Sequence, residues 1–266
     1  MSALDPSVVD RIAHELLERE TERRDGGRIT DVHPELDLEI AYEAQRVLIE
    51  RKVAAGQTVV GVKLGLTSRA KQLRMGISSP LTAVLTDTMA IPTGAPLDAT
   101  ELIHPRVEPE IAFVMRERLA GPGVTAATAL AAVRSVHAGL EIIDSRFADF
   151  SFALPDVVAD NASSARYLIS PDGISPEGLD LWLEAAVLLR NGEVVDTATG
   201  AAVQGHPAEA LALAANELDR RGGAIEAGAI VLTGGLTDAV AIEPGDDVAV
   251  RFTHLGSLSL SIGGHS

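Results

Sequence analysis

Cysteine is absent from the 266 residues. That alone excludes disulfides, thiolate metal sites and cysteine nucleophiles, and it fits a reducing compartment. Basic residues are also scarce: 22 Lys and Arg stand against 38 Asp and Glu, for a net charge of −16. A surface that acidic repels phosphate backbones and anionic lipid, so nucleic acid and membrane surfaces are poor partners. It also repels an anionic substrate at long range, so such a substrate would need local positive charge from a metal, a Lys or an Arg. No apolar run approaches the length of a membrane span. The amino-terminal residues 1–6 show no basic region leading into an apolar stretch, so no secretory signal is expected and a cytoplasmic location is. Internal repeats and low-complexity linkers are lacking too.

What is present is a globular balance of 46 % hydrophobic and 23 % charged residues. The length suits one large domain, or one domain with a smaller appendage. Residues 1–57 read as a helical region. Asp5 is a candidate N-cap with Pro6 at the first helical position, and Val9, Ile12, Ala13, Leu16 and Leu17 recur at helical spacing. This helix should fade in the charged run 18–25 and stop at Gly26-Gly27. A second helix is expected over 38–55, with Ile40, Ala44, Val47 and Leu48 as its stripe and Gly56 as its cap. From 58 to 266 strands dominate, over 59–66, 111–115, 140–143, 230–233, 248–252 and 257–262. Asn191-Gly192 between two apolar runs signals a tight hairpin. Helices are expected over 126–136 and over 207–221. Strands outnumber helices without alternating regularly, which points to an α+β fold with a mixed or antiparallel sheet system. The organisation expected is a helical region, 1–57, followed by a catalytic β core, 58–266, as one compact unit.

The most informative stretch runs from His104 to Val114. Glu108 and Glu110 are two apart, so an extended chain puts both carboxylates on one face. Apolar residues follow at once, which takes the pair into a core. Glu141 lies in the otherwise apolar run Leu140 to Ile143, where a lone carboxylate would be costly. A shared divalent cation would relieve both the repulsion and the burial. All-oxygen ligation points to Mg²⁺ or Mn²⁺. Three carboxylates leave about three octahedral positions, two of which a 2-oxo acid can fill. The alternative is that Glu108 and Glu110 sit on a solvated edge strand and Glu141 pairs with an arginine.

Four segments, taken together, resemble the fumarylacetoacetate hydrolase superfamily, in its hydratase/decarboxylase branch. They are Gly61 to Ser68 (GVKLGLTS), Arg106 to Phe113 (RVEPEIAF), Glu141 to Arg146 (EIIDSR) and Val158 to Ser164 (VADNASS). Their order and spacing match, and the likeness runs nearly end to end. The resemblance implies a β roll or barrel core behind N-terminal helices. It implies an acidic triad on Mg²⁺ or Mn²⁺ at Glu108, Glu110 and Glu141, an active-site lysine at Lys63 and a substrate-contacting serine at Ser163. Homo-oligomers, and association with a companion hydratase, are implied as well.

Read for themselves, these residues keep alternatives open. A strand lysine such as Lys63 usually reaches out to the surface, although Gly61 and Gly65 would let a ligand approach the backbone. Ser163 also suits a turn. Arg146 either binds a substrate carboxylate as a fork or pairs with Asp144 or Asp149. Thr233-Gly234-Gly235 either presents backbone N–H groups to an anion, with Thr233 touching substrate, or is a tight turn.

Within the branch, hydratases resemble one another in a Pro-Asp-aromatic-Gly loop. Here Leu81 stands at the position of the acid, in a loop expected to cover the site, and Thr82-Ala83 departs from the aromatic-Gly pattern. An aliphatic residue there is similar to the decarboxylases. The resemblance thus implies a lyase that takes a small 2-oxo dicarboxylic acid, decarboxylating 2-oxohex-3-enedioate (4-oxalocrotonate) to 2-hydroxypenta-2,4-dienoate. The alternatives are hydration of that dienoate and C–C hydrolysis of an acylpyruvate. The hydrolases usually activate water with a His–Glu pair, and the chain offers no obvious His-x-x-Glu helix in the helical region near the site.

Overall fold

A computed structural model describes residues 6–264, the side chains of Lys71 and Arg74 excepted. Helix α1 (Pro6–Glu22) buries Val8, Val9, Ile12, Ala13 and Leu16 along one stripe. Its expected cap, Asp5, lies outside the described residues. As expected, the helix ends within the charged run, at Glu22, and Arg19 turns inward to donate to the carbonyls of Gly27 (2.9 Å) and Arg146 (3.0 Å). Helix α2 (Leu38–Ala54) is capped by Asp37, whose carboxylate accepts from the Ile40 N–H, and Gly56 follows its end in a left-handed conformation. Both helices bury their stripes with Phe147, Val157 and Val158 in one cluster that reaches Leu81.

The remaining elements follow as β1 (Val59–Gly65), α3 (Arg69–Met75), β2 (Leu81–Thr86), β3 (Leu97–Asp98), β4 (Arg106–Met115), α4 (Ala126–Ala131), β5 (Val133–Ile143) and α5 (Leu154–Ala159). The chain continues through β6 (Ser164–Ile169), β7 (Ala185–Arg190), β8 (Glu193–Thr199), α6 (Pro207–Asp219), β9 (Ile230–Leu232), β10 (Val240–Ala241), β11 (Asp247–Phe252) and β12 (Ser257–Gly263). One sheet runs β2-β1-β9-β4-β5-β6 with β10 added on β4, and the other runs β3-β12-β11-β7-β8. Pairing is antiparallel except for β1 with β9 and β12 with β3, so the α+β, mixed-sheet expectation holds.

The main core is shared by the two sheets. Ile111, Phe113, Leu140 and Ile142 of the first meet Leu188, Val248, Val250, Leu258 and Leu260 of the second. Alternation then sends the even-numbered residues of β4 to the opposite, inner face of the first sheet. There Ala112 packs with Leu85, Tyr167 and Leu232.

The expected helix over 126–136 is corrected. Only Ala126–Ala131 is helical, opened by a capping box between Thr125 and Thr128, and β5 begins at Val133. The alanine-rich composition suits a helix, but β5 pairs with β4 from Val133 to Ile143, and that pairing with burial decides the conformation. The expected hairpin is present. Asn191 (φ 55°) and Gly192 (φ 83°) form the two-residue turn between β7 and β8, and only that left-handed geometry matches the twist of the strands.

Candidate active site

Three strands of the first sheet carry the chemistry. Glu108 on β4 lies directly opposite Glu141 on β5, and Glu110 lies opposite Gly139. Lys63 on β1 is next to Leu232 on β9, which in turn is next to Ala112 on β4, so all four charged side chains share the inner face. Gly139 leaves room beside Glu110. A methyl group there would sit 3.2 Å from the Glu110 carbonyl oxygen.

Carboxylate oxygens of Glu108, Glu110 and Glu141 lie within 4.8 Å of one another. Lys63, itself buried, places its ammonium 3.1 Å from Glu141 Oε1 and 3.2 Å from Oε2. Ser164 donates to Glu141 Oε1 at 3.3 Å. Glu110 is fully buried. Its Oε2 accepts the Gly234 N–H at 2.7 Å, whereas its Oε1 has no hydrogen-bond partner among the described residues. Burial, reinforced by the charges of Glu141 and Glu108, pushes the Glu110 carboxyl well above the usual carboxylate range; the Gly234 N–H and Lys63 offset this only in part.

An orphaned buried oxygen facing two further carboxylates is the donor set of a hard divalent cation. The chain has no cysteine thiolate, and no imidazole belongs to the cluster. Glycines 234 and 235 close over this group. A methyl group on Gly235 would come within 2.7 Å of the Glu108 carboxylate, and one on Gly234 within 2.0 Å of Thr67 Oγ1.

A cavity of about 500 Å³ opens onto the cluster. Lys63, Glu108 and Ser163 line it together with Leu81, Ala162, Val157, Phe152, Phe150 and Arg106. Leu81 is not in a covering loop. It opens β2 beside Gly65, with its side chain buried as part of the wall. Thr82 points the other way and accepts from the Arg221 guanidinium on the outer face, so this part of the departure from the aromatic-Gly pattern does not reach the cavity.

Ser163 reaches the cavity through an unusual turn. Asn161, Ala162 and Ser163 all have positive φ, between 48° and 56°. Three consecutive non-glycine residues in that region are strained and persist only where other contacts over-determine them. Asn161 supplies two such contacts, accepting the Val84 N–H (2.8 Å) and donating to the Val84 carbonyl (2.9 Å) as a neighbouring strand would. The Ser163 carbonyl accepts the Asp144 N–H at 2.8 Å, and its hydroxyl donates to Asp160 at 3.3 Å.

Two expected substrate contacts are corrected. Arg146 does not line the cavity. It is buried, with its guanidinium donating to the Asp160 carboxylate and to the carbonyls of Asp144 and Asp160. Its acidic partner is thus Asp160, not the carboxylates of Asp144 or Asp149. Thr233 is also absent from the cavity wall, because its hydroxyl donates to the Ile111 carbonyl at 2.7 Å. The anion met by the following glycine N–H is the protein's own Glu110.

A His-x-x-Glu sequence does occur, at His206 to Glu209, but His206 accepts the Ala208 N–H as the cap of α6 and does not line the cavity. Arg106, Ser164 and Phe150 are site features that sequence reasoning did not single out. Arg106 carried a usable signal, since it lies two residues before Glu108 and therefore on the same strand face.

Residues 58–262 match the model of the fumarylacetoacetate (FAA) hydrolase C-terminal family. The chain belongs to the fumarylacetoacetate hydrolase family. Among its members, a 4-oxalocrotonate decarboxylase from Pseudomonas putida is 42 % identical over 96 % of this chain and 97 % of its own. A 2-hydroxyhexa-2,4-dienoate hydratase from Comamonas testosteroni is 37 % identical, over 96 % of this chain and 98 % of its own. The solved structure of 4-oxalocrotonate decarboxylase from Pseudomonas putida, complexed with magnesium and adipate, superimposes with a TM-score of 0.95 at 40 % identity. It covers 98 % of this chain and 99 % of that one. The roll with N-terminal helices is therefore the family's fold over almost the whole length.

Proposed function

We propose that this chain is a Mg²⁺- or Mn²⁺-dependent lyase that decarboxylates 4-oxalocrotonate (2-oxohex-3-enedioate) to 2-hydroxypenta-2,4-dienoate. One observation carries the choice of decarboxylation: a three-carboxylate cluster lies at one side of the cavity, while Leu81, Ala162 and Val157 make an apolar wall in the same cavity. The end-to-end likeness to decarboxylases supports it.

Glu108, Glu110 and Glu141 would hold the cation. When bound, it supplies Lewis-acid polarisation of a chelated 2-oxo group. In the reaction the bond between C5 and C6 breaks, C6 leaves as CO₂, and the electron pair runs through the conjugated chain to the 2-oxo oxygen. Lys63, held against Glu141, supplies positive charge beside that oxygen and a proton to the enolate. The Leu81 wall offers the departing carboxylate no hydrogen bond and no counter-charge, which favours its conversion to neutral CO₂. It also leaves no protein carboxylate at that position to activate a water, as a hydratase would need. Ser163, anchored by Asp160, presents its hydroxyl edge to the substrate.

Among the described residues, no helix is long and apolar enough to cross a membrane. Homo-oligomerisation and association with a hydratase that consumes the dienoate belong to the same proposal, and light scattering with and without such a hydratase tests them.

The decisive experiment feeds 4-oxalocrotonate and 2-hydroxypenta-2,4-dienoate separately to the protein with Mg²⁺. CO₂ release from the first and little hydration of the second are expected. Leu81→Asp should depress decarboxylation at least tenfold, because it sets a like charge beside the leaving group. Rapid hydration of the dienoate, with 4-oxalocrotonate untouched, would make the protein a hydratase.

A further inference from the structure

An apolar wall faces the carboxylate that leaves, and no side chain has yet been matched to the one that stays. We propose that Arg106 binds the retained 2-oxo carboxylate of the substrate. The proposal rests on that reading for which end of the substrate departs.

Two cations line the cavity among the described residues, Lys63 and Arg106. Lys63 is held by Glu141, and Arg146, the arginine expected to serve, is consumed by Asp160 and two carbonyls. The Arg106 guanidinium instead lies over the Phe150 ring, 4.0 Å from its centre, and makes no hydrogen bond or ion pair among the described residues. Stacking on an aromatic face fixes the guanidinium plane and leaves its N–H edge free for a planar, bidentate acceptor. A carboxylate is that acceptor.

The mounting is firm. Arg106 pairs with Ile143 of β5 on one side and with Ala241 of β10 on the other. Just ahead of it, the Asp144 carboxylate accepts the N–H groups of Ile103 (2.9 Å) and His104 (2.8 Å). Arg106 and Glu108 are on one strand face with Cα atoms about 7 Å apart, within the reach of an arginine side chain. A carboxylate beside the Glu108 cluster can therefore meet Arg106.

Chemistry decides which carboxylate this is. The leaving group surrenders its charge as CO₂, so an arginine on it would stabilise the ground state more than the transition state and slow the reaction. The 2-oxo carboxylate keeps its charge throughout, and a pair with it holds the substrate without that penalty. The strands separate the two ends accordingly. Leu81 and Ala162 close round Gly65 on the β1–β2 side, and Arg106 stands at the start of β4.

The test uses 2-oxopentanoate, which carries only the retained end. Its affinity is measured by calorimetry in saturating Mg²⁺ for wild type, Arg106→Gln and Arg106→Lys, beside kcat and KM for 4-oxalocrotonate and the melting temperature of each. Loss of one charge-assisted pair predicts about ten- to hundredfold weaker 2-oxopentanoate binding in Arg106→Gln. KM should rise by a similar factor, with kcat changed less than about threefold and Mg²⁺ affinity unchanged; Arg106→Lys should recover part of the loss. Unaltered 2-oxopentanoate affinity in Arg106→Gln overturns the proposal, as does a kcat that rises along with KM, which would place Arg106 on the leaving carboxylate. A loss of Mg²⁺ binding or of thermal stability with normal affinity per folded molecule overturns it too. The binding arm needs no turnover, so a protein that binds 2-oxopentanoate through Arg106 without releasing CO₂ would sink the decarboxylase reading and leave the Arg106 site standing.

Discussion

Arg146 and Arg106 are both arginines beside recognisable motifs, yet one is spent on Asp160 inside the fold and the other faces the cavity. The buried Arg146–Asp160 pair carries its own prediction. Burial pushes the Asp160 carboxyl up to about 6, against the pull of Arg146. Between its ordinary value of about 3.9 and about 6, the folded state thus holds this proton more tightly than the unfolded state. Its contribution to stability therefore falls as pH rises through that window. Arg146→Met strands the carboxylate and should cost about 3–5 kcal/mol at pH 8. The cost should shrink below pH 6, where Asp160 is protonated in both proteins. Urea titrations at the two pH values check this, and a pH-independent cost would mean that packing rather than charge holds the site.

At the scale of elements, periodicity located the pieces that stand on their own patterns. Helices α1, α2 and α6, the hairpin at Asn191-Gly192 and the extended run through Glu108 and Glu110 all formed near their expected bounds. The elements misread were those decided by distant partners. β5 looks helical at its start because the alanine-rich run just before it favours a helix, and β2 looks like a loop because its pairing with β1 is non-local. The turn over Asn161 to Ser163 is of the same kind. Its left-handed residues are tolerated because Asn161 satisfies the backbone of Val84 on β2. Asn161→Ala should leave that N–H and carbonyl unpaired and cost about 2–5 kcal/mol. It should also release Ser163 and Leu81 from their places on the cavity wall, so that KM for 4-oxalocrotonate rises even at temperatures where the protein is folded. Denaturant unfolding and kinetics below the transition measure the two effects.

At the scale of the molecule, three carboxylates inside one sheet make folding and metal binding a single equilibrium. Without a cation the cluster holds like charges in a buried place, so the folded state is penalised. Mg²⁺ binds the folded cluster and should raise the melting temperature in proportion to the logarithm of its concentration. Glu110→Gln removes one of the repelling charges. In a strong chelator it should melt at or above wild type, whereas in millimolar Mg²⁺ it should melt below wild type and show no turnover. Thermal unfolding in the two buffers checks the reversal; the same order in both would argue against Glu110 as a ligand.

Which chemistry was available is legible in the chain before it folds. Lack of cysteine and an excess of acid left oxygen ligation, the spacing of Glu108 and Glu110 put two ligands on one strand face, and the order of the family motifs implied the roll. These are matters of composition and of short-range geometry, which a chain carries wherever it folds. Tertiary structure alone decided that Glu141 falls opposite Glu108, that Lys63 spends its charge on Glu141, that Leu81 is a strand wall and that Arg106 rather than Arg146 faces the cavity. Each depends on strand register or on a partner tens of residues away. Register shifted by one residue sends a side chain to the other face of its sheet, and no local pattern records which partner a buried charge will find.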